Sequence, residues 1–330
     1  MVAIAAEQWE SANQSVETFS RLGHRASWSR RHAFLADMGG IRIKAPDLDE
    51  PLPVTSYQLA WLVEHQHLPM PGITLAMVDD KDRNDGFARA ATLVQIIWFP
   101  VQCVGRWIQG IGLTTFELTT VAFILCTLHT FFFWFDKPQD VEVPFDIQTT
   151  RLISEMLARQ QPNAQNPSPR AWLSAVQAPP DPRSLTTPFW FGVGAVFGTK
   201  TRSSPDSTWR FENSQTTPPK GITTPQMLYG ILFELAYFGM HLVGWILVFP
   251  TTVERVLWTT ASLTLLGLLL LYLSAWAIGQ RVAPAAARFL FHQDATTIIE
   301  IATLFPRWAQ IVIHAPVIVI YVLARGYILV

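Results

Sequence analysis

Charged residues are scarce in this sequence, and neither sign of charge dominates. Asp, Glu, Lys and Arg make up 15% of its 330 residues, and the formal net charge is −1 at pH 7. A chain with so little net charge lacks the basic field that attracts nucleic acid and the acidic field that attracts cationic partners. We therefore exclude nucleic acid as a partner.

Cysteine is rare as well, and the common signatures of cofactor sites are missing. Cys103 and Cys126 both lie within apolar runs, where cysteine behaves as a small buried hydrophobic residue rather than as half of a disulfide or metal pair. No segment resembles a P-loop or a nucleophile elbow, so we predict no cofactor and no metal. The first residues also lack the features of a signal peptide, so membrane insertion is expected to begin at an internal span.

Apolar residues, by contrast, make up half of the chain and are concentrated in five long runs. Each run has about the 20 residues that a helix needs to cross a hydrocarbon core of roughly 30 Å. The runs cover residues 90–108, 113–135, 228–249, 257–278 and 311–330. This pattern predicts an all-α fold, a polytopic membrane helical bundle with about five transmembrane spans, in contact with the lipid bilayer.

The runs divide the chain into five regions. We predict a membrane-adjacent helical N-terminal region, a first transmembrane hairpin, a polar Pro-rich loop that is partly disordered, a second hairpin, and a connection with the last span. Their bounds are 1–86, 87–135, 136–226, 227–278 and 279–330. Within the loop, residues 189–198 are too few to cross the membrane and are predicted to lie at its interface.

Five spans would place the N-terminal region, the Pro-rich loop and the last connection on one face of the bilayer. Basic residues near the span ends are more numerous on that face, so the positive-inside rule predicts a cytosolic N-terminus. These residues are Lys81, Arg83, Lys137, Arg281 and Arg288, against Arg106, Arg255 and Arg325 on the opposite face.

Three polar side chains share one face of the third span. Glu234, Tyr237 and His241 follow one another at i, i+3 and i+7, which places them in one stripe along a helix. A charged group in hydrocarbon costs at least ~2.5 kcal/mol, so the stripe is expected to face the bundle interior. There Glu234 and His241 can act as an acid/base pair or a proton relay. The alternative is interhelical hydrogen bonding that fixes the packing.

Arg106 lies near the end of the first span. Across the short turn at residues 110–112 it reaches the depth of Glu117 on the next helix, which predicts an ion pair. Thr114 and Glu117 also have the spacing of a capping box, in which the carboxylate serves its own helix. The two interactions can form together and favour a structural role. As a catalytic residue, Arg106 would assist the acid/base pair of the third span.

An acidic string precedes the first span. It contains Asp79, Asp80, Asp82 and Asp85, and oxygen ligands in such numbers are typical of magnesium sites. Arg83, however, occupies the fifth position of a DDxxD pattern, and the chain has no second acidic motif to complete a diphosphate clamp. Acidic residues ahead of a helix also stabilise its N-terminus without a metal, and we favour that interpretation.

Two patterns at helix ends predict local anchors. Lys137 and Pro138 follow the second span, where a lysine can reach headgroup phosphates and a proline ends a helix. Pro250, Thr251 and Glu254 have the order of a helix stop, an N-cap and a capping box ahead of the fourth span.

Several segments, in their order along the chain, resemble a large group of uncharacterised fungal integral membrane proteins. The residues that carry the resemblance are Trp28, RHAFLADMGG (31–40), KDRNDGFARA (81–90), LTTFELTT (113–120), WFDKPQDVEVP (134–144) and HLVGWILVFPTTVERVLW (241–258). The segment at 134–144 is similar to the family's aromatic-aromatic-x-Lys-Pro-x-Asp-Val signature. Longer members have a further span before this region and more sequence after it, so the present chain is expected to be short at both ends.

Some members of this group are encoded beside secondary-metabolite genes. The resemblance therefore implies an accessory or catalytic membrane protein of polyketide or terpenoid biosynthesis, which acts on a lipophilic small-molecule intermediate by acid/base chemistry alongside biosynthetic enzyme partners. It also implies an internal membrane, such as the endoplasmic reticulum. No reaction carries over from the family, so a non-enzymatic transporter or scaffold is the alternative.

Overall fold

The computed structural model describes residues 2–48, 50–83, 86–153, 224–292, 301–302 and 304–329. These residues form two compact units. The N-terminal unit contains the described residues of 1–90 and 129–153, and the membrane unit contains those of 91–128 and 224–329. The predicted interfacial segment, residues 189–198, and the middle of the predicted Pro-rich loop lie outside the described residues.

Four helices form much of the N-terminal unit. They are α1 (Val2–Arg21), α2 (Arg30–Asp37), α3 (Ser56–Glu64) and α4 (Leu75–Lys81). α3 begins with a capping box, in which Thr55 Oγ accepts from the Gln58 amide and Gln58 Oε1 accepts from the Thr55 amide. Gly39 turns the chain after α2 at a φ of +81°, a conformation that strains other residues.

A three-stranded sheet, which the sequence analysis did not predict, completes this unit. β1 (Ile41–Lys44) pairs antiparallel with β2 (Leu52–Pro53) and parallel with β3 (Phe145–Gln148). Ile43 is fully buried and lies opposite Ile147 in the parallel register. The parallel pair joins segments on either side of the first two spans, so no local pattern in the sequence indicates it.

The N-terminal unit has a hydrophobic core of its own. Phe19 and Trp28 stack with their ring centroids 4.2 Å apart, and the Trp28 indole donates a hydrogen bond to Ser15 Oγ at 3.0 Å. Burying a large apolar side chain contributes about 1.5–3 kcal/mol. The largest fully or nearly fully buried apolar side chains include Phe34, Leu35, Ile41, Ile43, Leu52, Leu59 and Leu62.

Among the described residues, five helices are long and apolar enough to cross a membrane, which confirms the predicted all-α fold with about five spans. Their large apolar side chains are often exposed, such as Trp98 at 59% and Leu323 at 69%, as contact with lipid requires. The helices are α5 (Gly86–Ile108), α6 (Thr115–Phe133), α7 (Thr224–Met240) with a 3₁₀ helix (His241–Ile246), α8 (Thr252–Phe291) and α9 (Arg307–Leu329).

α8 is much longer than the predicted fourth span. It includes residues 279–291, which the sequence analysis treated as a connection, and it passes through Pro284. A proline inside a helix removes one backbone hydrogen bond. Ala283 and Ala287 are buried in a small cluster with Ile301, and this packing offsets that loss.

The start of α8 follows the predicted pattern. Thr251 is the N-cap, and its Oγ accepts from the Glu254 amide at 3.2 Å. The same hydroxyl donates to Glu254 Oε1 at 2.9 Å. The predicted cap between the third and fourth spans is therefore confirmed.

Candidate functional site

The polar stripe predicted on the third span lies along α7 and the start of its 3₁₀ helix. Tyr237 and His241 are 9% and 1% exposed, and Glu234 is half-buried. The remainder of α7 is largely apolar, so these groups need partners within the protein.

Arg325 of α9 supplies a partner for two of the three residues. Its Nη2 donates to the Tyr237 hydroxyl, and its Nη1 donates to His241 Nε2 at 3.4 Å. The guanidinium carbon also lies 5.1 Å from the centroid of the Phe123 ring and 5.3 Å from that of the Tyr237 ring. Aromatic faces at this distance stabilise a cation. Arg325 thus joins α6, α7 and α9 at one point of the membrane unit.

The contacts of His241 define its tautomer. Its Nε2 faces an arginine, which can only donate, so Nε2 must be the acceptor. Its Nδ1 then carries the proton and donates to the Tyr237 carbonyl at 3.1 Å. Both ring nitrogens are occupied, and His241 can accept a further proton only when Arg325 leaves Nε2.

Glu234 differs from its two neighbours on the stripe. Its carboxyl forms no hydrogen bond or ion pair with any residue that the structure describes. The thiol of Cys126, on α6, lies within electrostatic range of both the Glu234 carboxyl and the Arg325 guanidinium. The side chains of Cys126, Glu234, Tyr237, His241 and Arg325 therefore form one polar cluster, which we call the α7 cluster.

The 3₁₀ helix holds His241 against α8. Trp258, which is 2% exposed, donates from Nε1 to the His241 carbonyl at 3.0 Å. Gly244 packs so closely on the Trp258 indole that a Cβ at this position would overlap the ring. Trp258 thus satisfies a carbonyl at the point where α7 changes to a 3₁₀ helix.

Arg106 is not part of the α7 cluster. It forms an ion pair with Glu117, and its Nη2 donates to the Gly112 carbonyl at 3.3 Å. Glu117 Oε2 also accepts from the Thr114 amide at 2.8 Å, while Thr114 Oγ accepts from the Glu117 amide at 3.2 Å. The predicted ion pair and the predicted capping box are both confirmed, and they form together.

A double-mutant cycle on Arg106 and Glu117 tests this ion pair. Arg106→Gln and Glu117→Gln each leave one charge unpaired at the end of the hairpin, while the double variant leaves none. Glutamine can still cap α6, so the cycle isolates the charge. We expect a coupling free energy of about 0.5–3 kcal/mol from unfolding in detergent micelles. Strictly additive effects would show that the pair is not formed.

The three residues proposed as catalytic therefore occupy two places. Glu234 and His241 belong to the α7 cluster, whereas Arg106 forms no hydrogen bond or ion pair with either of them. Arg325 and Cys126 were not predicted from the sequence as their neighbours. One feature of the sequence could have indicated Arg325 as a partner for the stripe, because it is the single charged residue within the last apolar run.

The acidic string near the first span is engaged in ion pairs. Arg31 Nη2 binds Asp82 at 2.8 Å, and its Nη1 binds Asp79. Asp82 Oδ1 also accepts from the Gln139 amide at 2.9 Å. In the parts of the chain that are described, no three His, Cys, Asp or Glu side chains are grouped to hold a metal ion. These carboxylates join α2, α4 and the segment after α6.

A second polar cluster lies inside the N-terminal unit. Asp37 Oδ1 accepts from the Ser56 amide at 2.8 Å, and burial raises the pKa of Asp37 to about 6. Lys137, predicted to reach headgroup phosphates, instead donates to Gln8 Oε1 at 3.0 Å and lies 4.3 Å from the centroid of the Trp134 ring. Burial lowers the pKa of Lys137, and the nearby Asp37 carboxylate opposes that shift.

Comparison with known proteins places a family match over this part of the chain. A family of unknown function (DUF8562) matches residues 4–161. The match includes the clusters around Arg31 and Asp37 as well as Arg106, whereas Glu234, His241 and Arg325 lie beyond it. No curated protein and no solved structure matches the chain significantly.

Proposed function

We propose that this is a fungal integral membrane protein of secondary-metabolite biosynthesis, which acts on a lipophilic polyketide or terpenoid intermediate by acid/base chemistry. The observation that carries the proposal is the Glu234 carboxyl, which lies on a membrane-spanning helix without a hydrogen bond or ion pair to a described residue. An ionisable side chain in such a position costs folding free energy, and ionisable residues within membrane spans usually serve a function.

The α7 cluster supplies the groups that proton transfer needs. Glu234 would remove a proton from the carbon between the carbonyl and the double bond of a β,γ-unsaturated intermediate and return it to the γ carbon, so that the double bond shifts while the carbon skeleton and the composition stay unchanged. The negative charge that forms on the carbonyl oxygen would be stabilised by the hydroxyl of Tyr237, which Arg325 polarises. His241 keeps Arg325 in place and is available as a second base once Arg325 moves.

We further propose an internal membrane, such as the endoplasmic reticulum, with the N-terminal unit in the cytosol beside biosynthetic enzymes. The basic residues that flank the spans support this orientation through the positive-inside rule. The resemblance to fungal membrane proteins near secondary-metabolite genes supports the location.

Gene deletion followed by metabolite profiling tests the function. Deletion is expected to cause accumulation of a precursor, and Glu234→Gln should reproduce that profile at normal protein abundance, because the amide cannot exchange the proton. General acid/base catalysis typically contributes about 10²–10⁴-fold to a rate, so the product should fall to background. Glu254→Gln is the matched control, since the Glu254 side chain accepts a hydrogen bond from the hydroxyl of the N-cap Thr251 and glutamine can accept the same bond.

A transporter or scaffold is the second candidate, and one observation favours it. Both nitrogens of His241 are already occupied by Arg325 and a backbone carbonyl, as expected for a group that fixes helix packing. A transporter predicts that deletion traps finished product inside cells without precursor. If Glu234→Gln and His241→Phe both leave the product pattern intact, the acid/base proposal is wrong.

A further inference from the structure

We infer that Arg325 binds the oxyanion head of a lipophilic acid, with a carboxylate or a phosphate as the charged group. This inference rests on the proposed function, because it assigns a chemical class to the ligand of the same cluster. Arg325 carries a positive charge on a membrane-spanning helix. Within the described residues, Arg325 forms no ion pair with a carboxylate, and its contacts are a phenol, a neutral imidazole and two aromatic faces.

The guanidinium of Arg325 has donors left for a ligand. Of its five N–H groups, one on each terminal nitrogen is used, by Tyr237 and by His241. The remaining N–H groups have the planar, forked arrangement that binds a carboxylate or a phosphate through two parallel hydrogen bonds. The Tyr237 hydroxyl accepts from Arg325, so its own proton stays available for the carbonyl oxygen of the proposed reaction.

The surroundings of Arg325 suit an apolar tail. Phe123, under the guanidinium, is 42% exposed, and Val322, one turn earlier on α9, is 57% exposed. Both side chains are on helices that face lipid, so a ligand can enter from the bilayer with its tail along apolar surface. A small hydrophilic anion would gain nothing from these walls, which favours an oxyanion carried on a hydrocarbon chain.

The position of the oxyanion also relates to the proposed chemistry. Glu234 lies one helical turn before Tyr237 on α7, a rise of about 5 Å. A ligand whose head is held by Arg325 would place carbons a few bonds from its head near Tyr237 and the Glu234 carboxyl. Binding of the head thus positions the reacting part, and the two roles can be separated by mutation.

Binding of spin-labelled lipids to the full chain in phosphatidylcholine nanodiscs tests the inference. The probes are spin-labelled stearic acid, its methyl ester and spin-labelled phosphatidic acid, at about pH 8.5 so that the carboxyl is ionised. A charge-assisted forked pair is expected to favour an acid over its ester by about 10-fold or more. Arg325→Gln should abolish that preference, and Arg325→Lys should keep part of it. Arg255→Gln, which removes an exposed arginine of α8, should leave it unchanged.

Each outcome bears on the inference. A preference for stearic acid over the ester supports a carboxylate head, and a preference for phosphatidic acid alone supports a lipid phosphate. Competition by unlabelled ligands on the wild-type chain keeps the test valid if Arg325→Gln does not fold. Equal binding of acids and ester to the wild-type chain would overturn the inference, as would an unchanged preference in a folded Arg325→Gln chain.

Glu234→Gln separates this inference from the proposed function. We expect this variant to keep the preference for the acid while it loses product formation. If it instead keeps product formation, the acid/base proposal fails while oxyanion binding at Arg325 stands. If Glu234→Gln loses product formation while the wild-type chain binds the acid and its ester equally, the acid/base proposal stands and oxyanion binding at Arg325 fails.

Discussion

Replacing Gly244 with alanine is expected to lower the free energy of unfolding of the membrane unit by about 1–3 kcal/mol. The added Cβ would overlap the indole ring of Trp258. That ring cannot move aside easily, because it is 2% exposed and its Nε1 donates to the His241 carbonyl. The 3₁₀ helix would have to move from α8 and would carry with it the imidazole that contacts Arg325.

Gly267→Ala is the matched control for this prediction. Gly267 lies within α8, and a Cβ built there has no neighbour within 4 Å. Alanine in a helix is more stable than glycine by about 0.5–1 kcal/mol, so this variant should be neutral or slightly more stable. Thermal unfolding in the same detergent, followed by tryptophan fluorescence, compares the two variants. Equal stability of Gly244→Ala and the wild-type chain would contradict the close packing of Gly244 on Trp258.

Replacing Asp37 with asparagine is expected to remove a pH-dependent part of the stability of the N-terminal unit, of at most about 3 kcal/mol. Burial raises the pKa of Asp37 from 3.8 to about 6, although hydrogen bonds from Ser56 and Ser11 favour the ionised form. The folded chain therefore holds this proton more tightly than the unfolded chain. The contribution of Asp37 to stability is highest below pH 3.8, falls as the pH rises to about 6, and is constant above that.

The difference in stability between wild type and variant isolates this effect. His32 acts in the opposite direction, because burial lowers its pKa below 6.5 and its contribution rises with pH, but it is present in both proteins. When unfolding is measured at intervals from about pH 4 to about 7.5, the free energy of unfolding of Asp37→Asn should rise relative to that of the wild type as the pH rises. Asp146→Asn, which removes an exposed ion pair with Arg42, should change stability by less than about 1 kcal/mol throughout. Parallel curves for wild type and Asp37→Asn would contradict the prediction.

Local features of the site could be predicted because their partners are close in the chain. The capping box at Thr114 and the N-cap at Thr251 each join residues three positions apart, and the ion pair of Arg106 crosses one short turn. The stripe on α7 follows from helical periodicity in the same way. None of these patterns indicates which other helix the stripe meets.

Contacts between distant segments could not be predicted in this way. Arg325 is 84 residues from His241, and the periodicity of one helix does not specify the helix packed against it. The pairing of β3 could not be predicted for the same reason, since its parallel partner β1 lies on the other side of two spans in the sequence. Lys137 also looked like a headgroup anchor from its neighbours, yet it is half-buried beside Gln8 of α1.

The amino-acid sequence by itself determined the class of the protein. In lipid, an apolar run of about 20 residues is stable as a helix, because a helix satisfies its own backbone hydrogen bonds. Five such runs therefore imply five membrane-spanning helices. Only the tertiary structure decided which buried polar groups meet, with Arg325 on the stripe of α7 and Asp37 in the N-terminal unit. The physical reason is that the cost of burying each polar group follows from its own chemistry, whereas the partner that offsets this cost depends on how distant helices pack.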